Sequence, residues 1–175
     1  NSIRYSYSQR IDRPKYQQLN PVIFFLDPYT YEIGNAFLKP QFTDNFEITH
    51  TYKGQVSLAI GYANTQQSMF QVIQQNDATK STYQTTLNLN AVENYSANLS
   101  FPITVTKNWN MQNNFSYYYN TFKDPNLNGG ALNVGRWAYD FYVNNVFTFK
   151  KQWTTEASMW YNSPNTYGIV KSNKA

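Results

Sequence analysis

Large apolar side chains recur at every second position through most of this chain, with Asn, Ser, Thr and Gln between them. Ile3, Tyr5 and Tyr7 alternate with Ser2, Arg4, Ser6 and Ser8. Phe46, Ile48, His50 and Tyr52 alternate with Asn45, Glu47, Thr49 and Thr51, and Val56, Leu58, Ile60 and Tyr62 follow. Tyr83, Leu87, Leu89, Tyr95, Ala97, Leu99, Phe101 and Ile103 form the next set, and Trp109, Met111, Phe115, Tyr117 and Tyr119 the one after. The last two are Trp137, Tyr139, Phe141, Val143, Phe147 and Phe149, then Trp153, Ala157, Met159 and Tyr161. A period of two gives a strand one apolar and one polar face. The pattern predicts about seven strands, and no segment repeats with a helical period.

The connections alternate in length. Residues 52–55, 104–109 and 150–153 read as tight turns, whereas 13–40, 64–81 and 122–135 read as long or turn-rich loops. Short and long in alternation is the rhythm of an up-and-down antiparallel meander with its long loops at one end.

Strand length and aromatic placement then say what the apolar face meets. The segments 83–103, 109–121 and 136–149 exceed the roughly 5–6 residues common in soluble strands and suit the roughly 9–11 that cross a bilayer. Aromatic residues make up 18% of the chain, and Tyr and Trp gather towards strand ends, as at a lipid–water boundary. The expected arrangement is therefore all-β, a portion of a transmembrane β-barrel with lipid on one face and a wet lumen on the other. Asp44, Asn113 and Asn145 fall on the apolar parity. Asp44 fits beyond the bilayer beside the long loop, and the two asparagines fit only at a bulge or a rim.

Composition narrows the chemistry. With no Cys, neither a disulfide framework nor a thiolate metal site is available. The net charge of +4 is scattered, without the basic stripe of a nucleic-acid binder, so no nucleic acid is expected as a partner. No run is long enough for a spanning helix, and residues 1–10 lack the apolar core of a signal peptide.

No catalytic residue, cofactor site or metal site is expected. His50, the single histidine, reads as a rim imidazole beside Tyr52 rather than a general base. Asp124, Asn126, Asn128 and Gly129 open like a calcium loop, but Gly135 stands where the bidentate Glu belongs. Glu47, Glu93 and Glu156 pair with no second carboxylate and read as lumen charges. Sequons at Asn94, Asn98 and Asn114 are chance matches on polar faces. In the loop, Tyr29 and Tyr31 are the candidate ligand-binding residues, while Ile23, Phe24, Phe25 and Leu26 are expected to fold it back onto its neighbours.

One stretch is distinctive beyond its periodicity. Arg10-Ile11-x-Arg13-Pro14-x-Tyr16, Leu19-Asn20-Pro21, Gly34-Asn35 and Leu38-x-Pro40 precede a strand ending at Tyr52-x-Gly54. Over residues 4–54 this resembles the barrel domain of TonB-dependent outer-membrane receptors of the type common in Bacteroidetes, with Ala36 where a proline follows Gly-Asn in the pattern. The resemblance implies a barrel of about 22 strands in a Gram-negative outer membrane, a plug in its lumen and an inner-membrane energy-coupling partner. It also implies uptake of a small molecule, peptide or oligosaccharide, without an enzymatic step. Residues 1–175 are then a single barrel segment, without plug or signal peptide and incomplete at both ends, facing lipid and the rest of its own barrel. Two alternatives stand beside it: a complete eight-stranded barrel whose last strand starts near Tyr167, and a soluble β-sandwich that binds carbohydrate.

Overall fold

The computed structural model describes residues 1–127, 130–150, 153–167 and 170–171. The alternating segments become long strands: β1 (Ser2–Asp12), β4 (Gln41–Tyr52), β5 (Val56–Asn76), β6 (Ser81–Thr106), β7 (Trp109–Leu127), β8 (Gly130–Thr148) and β9 (Thr154–Asn162). They form an antiparallel meander in the order β1-β4-β5-β6-β7-β8-β9. Between β1 and β4 lie a one-turn helix α1 (Tyr16–Leu19) and a hairpin of β2 (Phe24–Asp27) and β3 (Thr30–Glu32). Strand β3 joins the same sheet by pairing parallel to the start of β6, Thr30 to Thr82 through Glu32 to Gln84. Two-residue strands β10 (Thr166–Tyr167) and β11 (Val170–Lys171) pair only with each other, where an eighth long strand was the alternative. Among the described residues no second sheet covers the apolar face, which removes the sandwich.

Pairing register lines the apolar positions up in rows across the strands. One row runs Tyr7, Phe46, Tyr62, Tyr95, Tyr119, Trp137. Neighbouring ring centroids along it are 4.7, 6.5, 4.8, 6.5 and 4.9 Å apart. Six strands thus carry one unbroken line of aromatic contacts, each pair adding about 0.5–1.5 kcal/mol beyond its buried area. The next rows are Tyr5, Ile48, Ile60, Ala97, Tyr117, Tyr139 and then Ile3, His50, Leu58, Leu99, Phe115, Phe141, Tyr161. At this end of the sheet Trp109 stacks on Phe147 at 5.4 Å, and Phe149 and Trp153 are exposed.

Among the described residues no second sheet lies over these positions. Ile60 is 56% exposed and Met159 57% exposed, although both lie between the two aromatic lines. Trp109 and Tyr119 are ten residues apart on β7, as are Trp137 and Phe147 on β8. Ten steps of about 3.3 Å, foreshortened by a strand tilt of roughly 40°, give a band of about 25 Å. That is the height of a barrel's apolar belt. The outward residues between the two aromatic lines include no Asp, Glu, Lys or Arg. The opposite face carries Arg4, Glu47, Asp140 and Glu156 among its Asn and Ser residues.

Several expectations need correction. Residues 64–81 and 122–135 are mostly strand, not loop: β5 runs to Asn76 and β6 starts at Ser81, while β7 runs to Leu127 and β8 starts at Gly130. In 64–76 the apolar residues Met69, Phe70, Val72 and Ile73 fall on both parities, so the period of two is lost although the ladder continues. The tight turn at 52–55 has its two central residues, Lys53 and Gly54, at positive φ with Gln55 N–H donating to the Tyr52 carbonyl, the type I′ geometry of short hairpins. The tight turn predicted at 150–153 falls partly on residues 151–152, outside the described residues. Asn113 and Asn145 sit at regular paired positions rather than at bulges. Asn113 donates to the Phe101 carbonyl at 3.2 Å and is 4% exposed. Asn145 accepts from the Trp109 indole at 3.0 Å.

Candidate functional site

Beyond the upper aromatic line the outward face turns polar within one step. The next row is Gln9, Asp44, Asn64, Glu93, Thr121, Gly135. Tyr7 reaches up to donate its hydroxyl to Asp44 at 2.8 Å, and Gln9 donates to the same oxygen at 3.0 Å. Glu93 therefore does not face the lumen: it shares the parity of Tyr95 and pairs with Lys123 at 2.9 Å. The carboxylate holds the Lys123 ammonium above its ordinary pKa. The bilayer boundary falls between the ring row and this charged row, which is why Asp44 is tolerated on the apolar parity.

Past that boundary β5 and β6 continue as a hairpin, and the chain between β1 and β4 wraps onto it. The residues that carried the family resemblance close the segment on itself, and one of them ties it to the hairpin. Gly34 N–H donates to the Asn20 carbonyl at 3.0 Å and Asn35 N–H to that of Gln18 at 2.6 Å. A Cβ on Gly34 would lie 2.8 Å from the Asn20 nitrogen and 2.9 Å from its carbonyl carbon, so this crossing of two backbones admits only glycine. The Asn20 side chain caps the turn by accepting from Val22 N–H at 3.2 Å. Asn35 then reaches β6, donating to the Thr86 carbonyl at 3.1 Å.

Asn88 completes the anchor. Its oxygen accepts from Lys39 N–H at 2.8 Å, and its amide donates to the carbonyls of Lys39 and Gln67 at 2.9 and 2.7 Å. Leu38, between these bonds, is buried, as are Val72 and Leu89 on the hairpin. The segment 13–40 is thus a built element with its own core contacts and satisfied amides, not a free loop.

Within it, Tyr31 stacks flat on Tyr83 at 5.3 Å and touches Phe25 at 5.8 Å, so its ring braces the β3–β6 junction. Tyr29 is 68% exposed at the hairpin turn, where the Asp27 carboxylate accepts from its N–H at 2.8 Å. That bond holds Asp27 below the ordinary carboxylate pKa. The two candidate tyrosines are therefore not side by side in one site. Ile23, Phe24, Phe25 and Leu26 do not fold back: all four are exposed, at 46–65%. Short β2 pairs only with β3, so it has no second surface to cover these side chains.

A groove of about 440 Å³ opens between the wrapped segment and the hairpin, lined among others by Gln17, Phe24, Glu32, Gln71, Gln84 and Thr86. Sequence reasoning missed it because its walls come from two distant stretches, residues 17–34 and 71–86, that no periodic pattern links. Of the other candidates, Asp124 is engaged locally, accepting from Asn90 N–H at 3.1 Å and Asn126 N–H at 2.9 Å, while residues 128–129 of that turn lie outside the described residues. His50 sits on the outward face between Ile3 and Leu58. Among the described residues no three His, Cys, Asp or Glu side chains come together as a metal site, and no helix is long and apolar enough to cross a membrane.

No curated protein and no solved structure matches the chain. One family does, described as the outer membrane protein beta-barrel family, and its match covers residues 1–175. The uncharged outward band, its two aromatic borders and the polar inner face are what such a barrel requires of its wall. The chain belongs to the outer membrane protein beta-barrel family, and its strands are those of an outer-membrane barrel.

Proposed function

We propose that these strands are wall and extracellular loops of a TonB-dependent receptor that imports a scarce nutrient across a Gram-negative outer membrane. What carries this reading is the segment 13–40. Among the positions that resemble such receptors, Asn20 and Gly34 close the segment on itself, Asn35 ties it to Thr86 of the β5–β6 hairpin, and Leu38 is buried. A chain that spends so many specific bonds on one rim element is holding a surface in place for an encounter.

Strand direction supports a larger barrel. Among the described residues the meander has seven strands, so β1 and β9 run the same way across the membrane. A uniformly antiparallel barrel closes only if an odd number of further strands lies between them. Copies of this sheet placed side by side in one orientation would meet β9 to β1 as parallel neighbours, so the missing wall is not a second copy. A plug in the lumen and an energy-coupling protein at the inner membrane complete the proposed machine, which transports and performs no bond chemistry.

The test is uptake. Cells with and without the protein are offered labelled oligosaccharide, ferric chelate and peptide, each with and without a protonophore. The expected result is protein-dependent accumulation of one class that collapses when the proton gradient does. Accumulation indifferent to the protonophore would sink the energised-receptor reading and leave a passive pore.

A further inference from the structure

The groove between segment 13–40 and the hairpin has a lining of one chemical character. Gln17, Gln71 and Gln84 line it, and their side chains take no part in the hydrogen bonds of the described residues. Glu32 supplies the single carboxylate of the lining, which contains no Lys or Arg. Phe24 adds an apolar ring that is 65% exposed at the edge. The walls are firm: Thr86, beside Gln84, is 7% exposed, and its carbonyl is held by Asn35.

Each feature selects a ligand property. A carboxamide is donor and acceptor at fixed spacing, so three of them match groups that are themselves both, and a hydroxyl is the common case. A lone carboxylate accepts from two neighbouring hydroxyls, but it repels phosphate, sulfate or an acidic chelate, and the lining offers no cation to offset that. An exposed ring with polar groups around it suits a flat C–H face. The volume is at the small end of ligand sites, about 300–1,000 Å³. That holds a short stretch of a chain whose ends run on into solvent.

We infer that this groove binds a neutral, hydroxyl-dense ligand of the oligosaccharide class. The inference rests on the receptor reading for its purpose and selects one of that reading's three nutrient classes. Gln71 and Gln84 grip the hydroxyls from the hairpin, Gln17 from α1, Glu32 bridges a vicinal pair, and Phe24 carries the sugar face. The hydrogen-bonding side chains come from both walls, so the ligand also clamps the segment to the hairpin.

Calorimetric titration of the detergent-solubilised full-length protein decides it. The probes are maltohexaose, cellohexaose, xylohexaose and mannohexaose, with hexagalacturonate, ferric citrate and penta-alanine as comparators. At least one neutral hexasaccharide is expected to bind, with Gln71→Ala and Gln84→Ala each weakening it about tenfold, the scale of one lost neutral hydrogen bond. Phe24→Ala weakens it too. Gln75→Ala, on the same hairpin but outside the groove, leaves it unchanged, and heat-modifiable gel mobility reports that every variant is folded.

Binding of none of the neutral sugars, sugar binding indifferent to Gln71→Ala and Gln84→Ala, or an anionic or peptide probe held through those residues would each overturn the inference. Groove-dependent sugar binding without energised uptake would retire the receptor reading alone. Energised uptake of ferric citrate with no sugar binding would retire the ligand class alone.

Discussion

The indole nitrogen of Trp109 donates to the side-chain oxygen of Asn145 at 3.0 Å, diagonally across the β7–β8 pair. The asparagine that breaks the apolar alternation is thus the polar partner of the ring that marks the lower border. Its own amide goes on to the Ala157 carbonyl at 3.4 Å, a longer and weaker contact. Replacing Asn145 by Ala is expected to cost about 1 kcal/mol of unfolding free energy in vesicles, the scale of one interhelical or interstrand bond in lipid. A double-mutant cycle with Trp109→Phe measures the coupling directly. Strict additivity of the two changes would mean the indole finds its partner in interfacial water instead.

Gly135 lies beneath a tyrosine. A Cβ there would stand 2.6 Å from Cζ of the Tyr119 ring and 3.2 Å from the Thr121 Cβ. The ring of Tyr119 covers the glycine and lifts its hydroxyl towards the charged row. Gly135→Ala is expected to destabilise by about 1–3 kcal/mol through overpacking, and Tyr119→Leu in the same chain should recover most of that loss. Urea titration of the four proteins reads it. Equal damage with and without the tyrosine would show that the Thr121 contact, not the ring, sets the requirement.

Adjacent residues on β6 separate the two faces. Leu99 is outward and midway between the aromatic lines, while Asn98 is inward. Leu99→Arg should cost about 2–4 kcal/mol in bilayer refolding, the penalty for a cation at mid-depth on the lipid side. Asn98→Arg should cost little. Indistinguishable effects would contradict the lipid-facing assignment of the whole apolar row.

The β2–β3 turn should open in acid. The Tyr29 N–H bond holds the folded-state pKa of Asp27 below its unfolded value, so its contribution is fully present above the unfolded pKa and is lost as pH falls through the folded one. Exchange of the Tyr29 amide should therefore accelerate only at pH values under the ordinary carboxylate range of about 3.9. Asp27→Asn is expected to remove that pH step. An amide that exchanges at the same intrinsic-corrected rate at pH 5 and pH 3 would show that the turn is held by other bonds.

How far the sequence was readable depended on where apolar and polar positions contrast. Inside the belt the contrast is sharp, and all seven meander strands were visible with their faces assigned. The positions that resisted, Asn113 and Asn145, were opaque because each is satisfied by a residue on a neighbouring strand, Phe101 and Trp109. Above the belt apolar residues fall on both faces, Met69 and Ile73 on one and Phe70 and Val72 on the other, so 64–76 lost the signal that had identified the strands below. Glu93 was misassigned for a related reason: its charge suggested the lumen, whereas its odd position beside Tyr95 already placed it on the outward row. The groove was illegible because it exists only after Asn35 and Asn88 tie two distant stretches together.

The length of the β5–β6 hairpin has a mechanical meaning. Gln71 stands nine residues beyond Tyr62 and Gln84 eleven before Tyr95, so the groove rides about 30 Å along the strands above the upper border. A continuous two-stranded ladder over that distance is a strut. Under the proposed receptor function it would set a fixed stand-off between a ligand in the groove and the membrane plane, so capture and passage would be separate steps.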